Sequence, residues 1–237
     1  MQPNTSLNVD SAEIEKFNRL AKSWWDPNSE FKPLHEINPL RINFINQATP
    51  LVDRKILDVG CGGGLLTEGL AHRGAKMTGI DMAPTSLAIA RQHAEQQNLA
   101  IDYHQTTVED WAKEHAGHYD IITCLEMLEH VPNPTQVVNA CAQLVKPGGH
   151  LFFSTINRNP KAFLFAIIGA EYILKLLPKG THEYGKFIRP AELGHWARMA
   201  DLTLQSLIGM TYNPLTKIYA LTDDVSVNYL MHFQKAM

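Results

Sequence analysis

The chain has 237 residues, 45% of them hydrophobic and 19% charged, and its 21 Lys plus Arg against 24 Asp plus Glu give a formal net charge of -3. This composition excludes a disordered tail or a small disulfide-stapled scaffold, and the length suits one domain with a large core of its own. The slightly acidic balance, without a dense Lys/Arg block, argues against a nucleic-acid footprint and leaves small molecules as the expected partners.

Asp10 and Glu13 have capping-box spacing, and Ile14, Phe17, Leu20, Ala21 and Trp24 follow at helical intervals on one face. A first amphipathic helix is predicted there. Residues 25–40 carry Pro27, Pro33 and Pro39 without a clean period and read as a connector wrapping the body. From residue 54, short runs rich in aliphatic and β-branched residues (55–59, 77–80, 101–104, 120–125, 150–155) alternate with helical segments near 64–73, 85–97, 108–115 and 134–145. Continuous apolar strands separated by helices predict an α/β fold, a doubly wound, Rossmann-like parallel sheet covered on both faces. A helix near 190–200 is followed by β-like runs at 202–211, 217–221 and 226–233, so an antiparallel hairpin is expected to close the sheet. The whole reads as a single domain: an N-terminal helical cap (1–50), a ligand-binding core (54–157), an apolar insertion or lid (158–189) and a C-terminal helix and hairpin (190–237).

Cys61, Cys124 and Cys141 show no Cys-x-x-Cys spacing, and their odd number completes no disulfide framework, so a reducing compartment is expected. The first residues, MQPNTSLNVDSAEIE, have neither the basic and apolar regions of a secretion signal nor the Arg-rich, acid-poor character of a transit peptide. A cytoplasmic protein is the expectation.

The strongest local signal is ILDVGCGGGLLTEGLA, a strand ending at Asp58 and Val59, then Gly60, Gly62, Gly63 and Gly64, then a helix. Glycines at a first strand-to-helix turn let a ligand approach the backbone at the carboxyl end of the sheet. A dinucleotide fingerprint starting at Gly60 needs glycine at position 65, which is Leu65, and no Gly-Lys-Ser/Thr is present, so neither a nicotinamide-dependent oxidoreductase nor a P-loop protein fits well. Asp58, two residues before the first glycine, suits a cationic ligand better than a pyrophosphate. Asp81 ends the second strand where an acid accepts hydrogen bonds from ribose hydroxyls; the plainer reading is a cap for the helix that follows.

Asp58-x-Gly60-x-Gly62-x-Gly64 with Asp81, then YDIITCLEMLEHV and LVKPGGHLFFSTIN, resembles the class I S-adenosylmethionine-dependent methyltransferases over about residues 54–157. The resemblance implies a seven-stranded, mostly parallel sheet with an antiparallel last strand and helices on both faces. It further implies that S-adenosylmethionine is bound by Gly60, Gly62 and their neighbours at its methionyl part, by Asp81 at the ribose, and by the backbone of Leu125, with Thr107–Asp110 near the adenine. WWDPNSEFKPLHEINPLR, EMLEHVPNP, FFSTINRN and GAEYILKLLPKGTHEYGKFI are similar to the ubiquinone biosynthesis O-methyltransferase family, between Trp24 and Ile188. That similarity implies methylation of catechol-type hydroxyls on polyprenylated intermediates, 2-polyprenyl-6-hydroxyphenol at an early step and 3-demethylubiquinol at the last. It also implies Arg41 as a cofactor contact. A guanidinium can hold the cofactor's carboxylate bidentately, whereas the alternative is a surface arginine pairing with Glu36.

Glu126, Glu129 and His130 follow a strand end, and if that segment is helical, positions i, i+3 and i+4 place all three on one face. Two carboxylates and an imidazole could hold a divalent cation such as magnesium or manganese, which would lower the pKa of a phenolic hydroxyl from near 10. Two alternatives stay open: His130 as a general base without metal, or acids that only cap a helix. The family resemblance favours the metal, magnesium. Residues 161–179 are the most apolar stretch but are interrupted by Glu171 and Lys175, so they do not span a bilayer. They read either as a helix lying at an anionic membrane surface, with Lys161, Lys175, Lys179 and Lys186 facing lipid, or as a core or lid helix. The expected setting is peripheral, at the inner face of a bacterial cytoplasmic membrane, with other ubiquinone-biosynthesis enzymes as further possible partners. A non-catalytic lipid-binding module on the same scaffold is the remaining alternative.

Overall fold

In the computed structural model, which describes residues 8–162, 184–213 and 215–237, the aliphatic runs become strands, of which 55–59, 119–125 and 151–156 at the centre of the sheet are buried on both faces. Strand β1 (Lys55–Val59) lies between β2 (Lys76–Asp81) and β4 (Tyr119–Leu125), β3 (Ile101–Gln105) extends the sheet beyond β2, and β5 (Val145–Ile156) extends it beyond β4, all in parallel. Adjacent residues on each strand enter different cores. Leu57, Ile122 and Phe153 pack with α5 (Val108–His115), α6 (Pro134–Leu144) and α8 (Pro190–Met199), whereas Ile56, Ile121 and Phe152 pack with α2 (Lys32–Ala48) and α3 (Leu65–Ala71). Helix α4 (Pro84–Gln96) covers β3 through Leu87, Ala90 and Ala94 against Tyr103. This double burial is why these strands read as continuous apolar runs rather than alternating ones. The chain works outward from β1 to β3 and then crosses to β4, so the strand order reverses beside β1 and a crevice opens at the carboxyl ends of β1 and β4.

The far end of the sheet has one strand more than the seven implied by the resemblance. Strands β6 (Leu202–Asn213) and β7 (Ile218–Thr222) form the expected hairpin, but β8 (Asn228–Lys235) inserts antiparallel between β5 and β6, leaving β7 at the edge of an eight-stranded sheet.

Helix α1 (Ser11–Leu20) forms where the amphipathic spacing places it, with the Asp10 side chain accepting from the Ala12 N–H at 3.0 Å. Glu13 does not complete a capping box; it turns across to another element. The connector expected over 25–40 is corrected, because from Lys32 onward the chain is helical as α2. Pro33 sits in the first turn, where a missing N–H costs nothing, and Pro39 forfeits one internal bond. Burial of Ile37, Ile42, Phe44 and Ile45 outweighs that loss, at about 1.5–3 kcal/mol for each large apolar side chain. Beyond α7 (Pro160–Ala162), the remainder of the apolar stretch 161–179 lies outside the described residues. Among the described residues no helix is long and apolar enough to cross a membrane. The three cysteines are free and buried.

His232 on β8 stacks on Phe152 (centroids 4.5 Å apart, interplanar 8°) with its Nε2 2.9 Å from Nδ1 of His150. Burial, and then the neighbouring His150, hold His232 down at about 4, below its ordinary value near 6.5. Between those values the unfolded chain takes up a proton that the folded chain refuses, so stability is lost as the pH falls through that window. The urea midpoint is expected to drop from pH 6.5 to 4.5 more steeply in the native protein than in His232→Phe, which keeps a ring on Phe152. Parallel pH slopes would remove His232 from this explanation.

Candidate active site

The turn after β1 is where backbone can come closest to a ligand. At Gly62 two constraints coincide: φ is +55°, and an added Cβ would lie 2.2 Å from Cη2 of Trp24, whose ring rests on Gly62 and Gly63. Trp25 donates from Nε1 to the Gly63 carbonyl at 3.0 Å and stacks on His93 with centroids 3.5 Å apart. The N-terminal segment is thus fastened onto the loop. The N–H groups of Gly60 and Cys61 both donate to the Ile80 carbonyl, and that of Gly62 donates to Asp81 Oδ2 at 2.8 Å, which ties the loop to the end of β2.

The two acids of the motif differ in role. Asp58 accepts hydroxyls from Thr67 (Oδ2) and Thr123 (Oδ1), each at 2.7 Å, bracing β1 to α3 and β4, while burial raises its pKa to about 6. It borders the cavity, and each of its oxygens is also bonded to the scaffold. Asp81 stands between the glycine loop and the start of α4. Its Oδ1 accepts from the N–H of Ala83, the residue that caps α4, and its carboxylate also borders the cavity; burial raises its pKa. Each oxygen keeps a second acceptor site, since a carboxylate oxygen carries two lone pairs.

That cavity, of about 180 Å³, lies at the carboxyl ends of β1 and β4. Its wall brings together all five residues expected to contact the cofactor, namely Arg41, Gly60, Gly62, Asp81 and Leu125, and Thr107 to Glu109 border it as well, whereas Asp110 does not. Arg41 is no surface residue: it is buried, and its Nη2 donates to Glu126 Oε1 at 2.6 Å, while Glu36 pairs with Lys32. Glu126 holds a left-handed backbone, φ +51°, and Ser154 fixes it by accepting its N–H at the carbonyl (3.0 Å) and donating its hydroxyl to Oε1 (2.7 Å). Such a strained non-glycine residue persists only where its surroundings over-determine it.

The helical face expected for Glu126, Glu129 and His130 is not formed. Only Leu128–His130 make a single 3-10 turn, because the left-handed Glu126 ends any regular helix before it starts. Glu126 and His130 border the cavity, but Glu129 is directed to Thr155, whose hydroxyl donates to Oε2 at 2.8 Å. Among the described residues no group of three His, Cys, Asp or Glu side chains is gathered as metal ligands. Burial, and then the charge of Glu126, raise Glu129 to about 7.

Glu13 is the partner that sequence reasoning missed. Its Oε2 lies 3.0 Å from His130 Nδ1, a bond that lowers Glu13 to about 2. An ionised carboxylate can only accept, so Nδ1 donates, which leaves Nε2 as the ring's other nitrogen. The capping-box spacing concealed this role, and the apolar period concealed Trp24; the doubled tryptophan before a proline was the one signal available. Of the lysines expected to favour anionic lipid, Lys161 pairs with Asp224 and Lys186 with Asp10, and Lys175 and Lys179 lie outside the described residues.

Residues 15–207 match the model of a methyltransferase domain family. The ubiquinone biosynthesis O-methyltransferase of Saccharophagus degradans is 61% identical over 230 residues, 97% of this chain and 98% of that one. Its counterpart from Marinobacter nauticus is 62% identical over 227 residues, 95% of each chain. This chain belongs to the ubiquinone biosynthesis O-methyltransferase family. The fold of the methyltransferase is shared with the S-adenosylmethionine-bound magnesium protoporphyrin IX methyltransferase of Synechocystis PCC 6803, at TM-score 0.68 and 17% identity over 98% of this chain and 100% of that one.

The packing of Trp24 on the loop of this methyltransferase is directly testable. Gly62→Ala is expected to cost about 1–3 kcal/mol through its positive φ and the collision with the indole. Trp24→Ala removes the collision, so the loss in urea-derived stability caused by Gly62→Ala should be smaller in that background; strictly additive losses would show that ring and loop do not meet.

Proposed function

We propose that this methyltransferase transfers the methyl group of S-adenosylmethionine to catechol-type hydroxyls of polyprenylated intermediates in ubiquinone biosynthesis, 2-polyprenyl-6-hydroxyphenol and 3-demethylubiquinol. The observation that carries the reading is one cavity bordered by the glycine loop, Asp81 and Leu125 together with Glu126 and His130. A nucleoside-binding wall and an acid–imidazole wall then serve the same space. S-adenosylmethionine, when bound, supplies an electrophilic sulfonium methyl that a catecholate oxygen can attack, leaving S-adenosylhomocysteine and a methyl ether.

The protein's own residues do the rest. Asp81 would accept the ribose hydroxyls, Arg41 would pair with the cofactor's carboxylate, and Gly60, Gly62 and Leu125 would admit the chain of the cofactor close to backbone. Holding donor and acceptor in line within a largely apolar wall supplies rate through orientation and exclusion of water. A divalent cation, magnesium by its preference for oxygen ligands, would be held by Glu126, Glu129 and His130 and would supply a Lewis acid that lowers the pKa of the catechol hydroxyl. The donor set fits such an ion in its chemistry: two carboxylates, of which Glu129 is raised first by burial and then by the charge of Glu126, and an imidazole whose other nitrogen is steadied by Glu13. The Glu13–His130 bond also favours a second reading, in which Nε2 of His130 removes the phenolic proton without a metal.

The polyprenyl tail of the substrate gives a reason for a peripheral position on anionic lipid at the inner face of the bacterial cytoplasmic membrane, where other enzymes of the pathway would be neighbours. That part of the proposal draws on substrate chemistry and on the apolar stretch 161–179 of the sequence.

Single-turnover transfer of labelled methyl to a short-chain polyprenyl catechol, with magnesium and with chelator, tests the reading. Transfer is expected to collapse on chelation and to fall by about 10²–10⁴ in Glu126→Gln and Glu129→Gln, the range typical of losing an activating group. Transfer that ignores chelator but is lost in His130→Asn assigns the base role instead. No transfer to any catechol by the folded native protein overturns the proposal. Glu13→Ala, by freeing the imidazole, is expected to lower kcat with little change in affinity for S-adenosylhomocysteine, as measured by calorimetry.

A further inference from the structure

Glu126 presents its two oxygens unequally. Oε1 takes two donors, Nη2 of Arg41 at 2.6 Å and the hydroxyl of Ser154 at 2.7 Å, whereas Oε2 meets no donor among the described residues and is not buried. The Glu126 side chain keeps 22% of its surface exposed and borders the cavity, so Oε2 is the oxygen left to a ligand there.

Of the two donors on Oε1, only Ser154 is committed. Arg41 borders the cavity and has a second claim on it, the cofactor's carboxylate. Ser154 is fully buried in β5, lies outside the cavity wall, and gives its hydroxyl proton to Glu126. A hydroxyl costs free energy to bury unless it is bonded, and here the bond goes to that one carboxylate. The same Oγ lies 3.2 Å from the Glu126 N–H, which the Ser154 carbonyl accepts at 3.0 Å. One serine thus meets both the backbone and the carboxylate of a residue held at φ +51°. We propose that Ser154 is a positioning residue: its hydroxyl holds Oε1 of Glu126 back against β5 and Arg41, so that Oε2 alone faces the acceptor side of the cavity. The inference rests on the role given to Glu126 above and adds the residue that orients it. Ser154 touches neither cofactor nor acceptor and acts through Glu126.

The backbone bond from Glu126 to the Ser154 carbonyl survives in Ser154→Ala, so that variant removes the hydroxyl alone. Mn²⁺ is the probe for the divalent cation, followed by electron paramagnetic resonance of the free ion, and calorimetry with S-adenosylhomocysteine reports whether the rest of the site is intact. Ser154→Ala is expected to weaken Mn²⁺ binding and to slow single-turnover methyl transfer about tenfold each, the effect of removing a group that orients a ligand. Affinity for S-adenosylhomocysteine is expected to change less than about twofold. In a Glu126→Ala background there is no carboxylate to orient, and adding Ser154→Ala is expected to slow transfer by less than about twofold further. A second tenfold loss in that background, an equal loss of S-adenosylhomocysteine affinity, or native Mn²⁺ affinity and rate in Ser154→Ala overturns the proposal. If the native protein transfers methyl without binding Mn²⁺, the cation falls and the comparison of rates in the two backgrounds alone supports or overturns the inference. If it neither transfers methyl nor binds Mn²⁺, the reading of Glu126 falls first and this inference with it.

Discussion

Everything at the site depends on the absence of side chains at Gly62 and Gly63, which lets Trp24 lie directly against the first strand-to-helix turn. A single methyl group there would force apart the glycine loop and the N-terminal segment, and with them Arg41, which α2 delivers to the cavity from the same side. Trp25 reinforces the contact through the Gly63 carbonyl and through its stack on His93, which in turn bonds the buried Glu68 of α3 at 2.7 Å. The cap is therefore joined to the loop by packing and hydrogen bonds together, and the ligand space is what remains between them.

Within that space the electrostatics are divided by element. The sheet contributes acids: Asp58 is absorbed into a threonine-lined brace, Asp81 is shared between the loop and the start of α4, and Glu126 is pinned by Ser154 and Arg41. The N-terminal helices contribute the complement, with Arg41 against Glu126 and Glu13 against His130. Burying several carboxylates in one crevice is costly unless they are paired. The cap supplies that pairing to Glu126 through Arg41 and brings Glu13 to His130, so it is part of the site as well as its roof.

The parallel core was legible because strands buried on both faces must be apolar at every position, and helices between them keep their own period. Leu57 and Ile56, adjacent in sequence, enter opposite cores, as that pattern demands. The glycine turn and Asp81 were legible for a related reason: backbone geometry at a tight turn restricts which residues can stand there. Helix α2 was hidden by Pro33 and Pro39, since local propensity opposes a helix that burial of Ile37, Ile42 and Ile45 against the sheet nevertheless stabilises. The insertion of β8 between β5 and β6 left no local mark, because pairing order is a matter of long-range hydrogen bonds.

The sequence by itself determined the α/β class, the place of the ligand crevice and several of the residues that border it, since each of these follows from local period, turn chemistry or motif. Tertiary structure alone decided which of those residues act together. Glu126 took a left-handed backbone that separates it from the turn carrying Glu129 and His130, Arg41 came from another helix to meet it, and Glu13 crossed 117 positions to hold His130. Contacts between residues far apart in the chain leave no periodicity to read; they exist only once packing has chosen which faces meet.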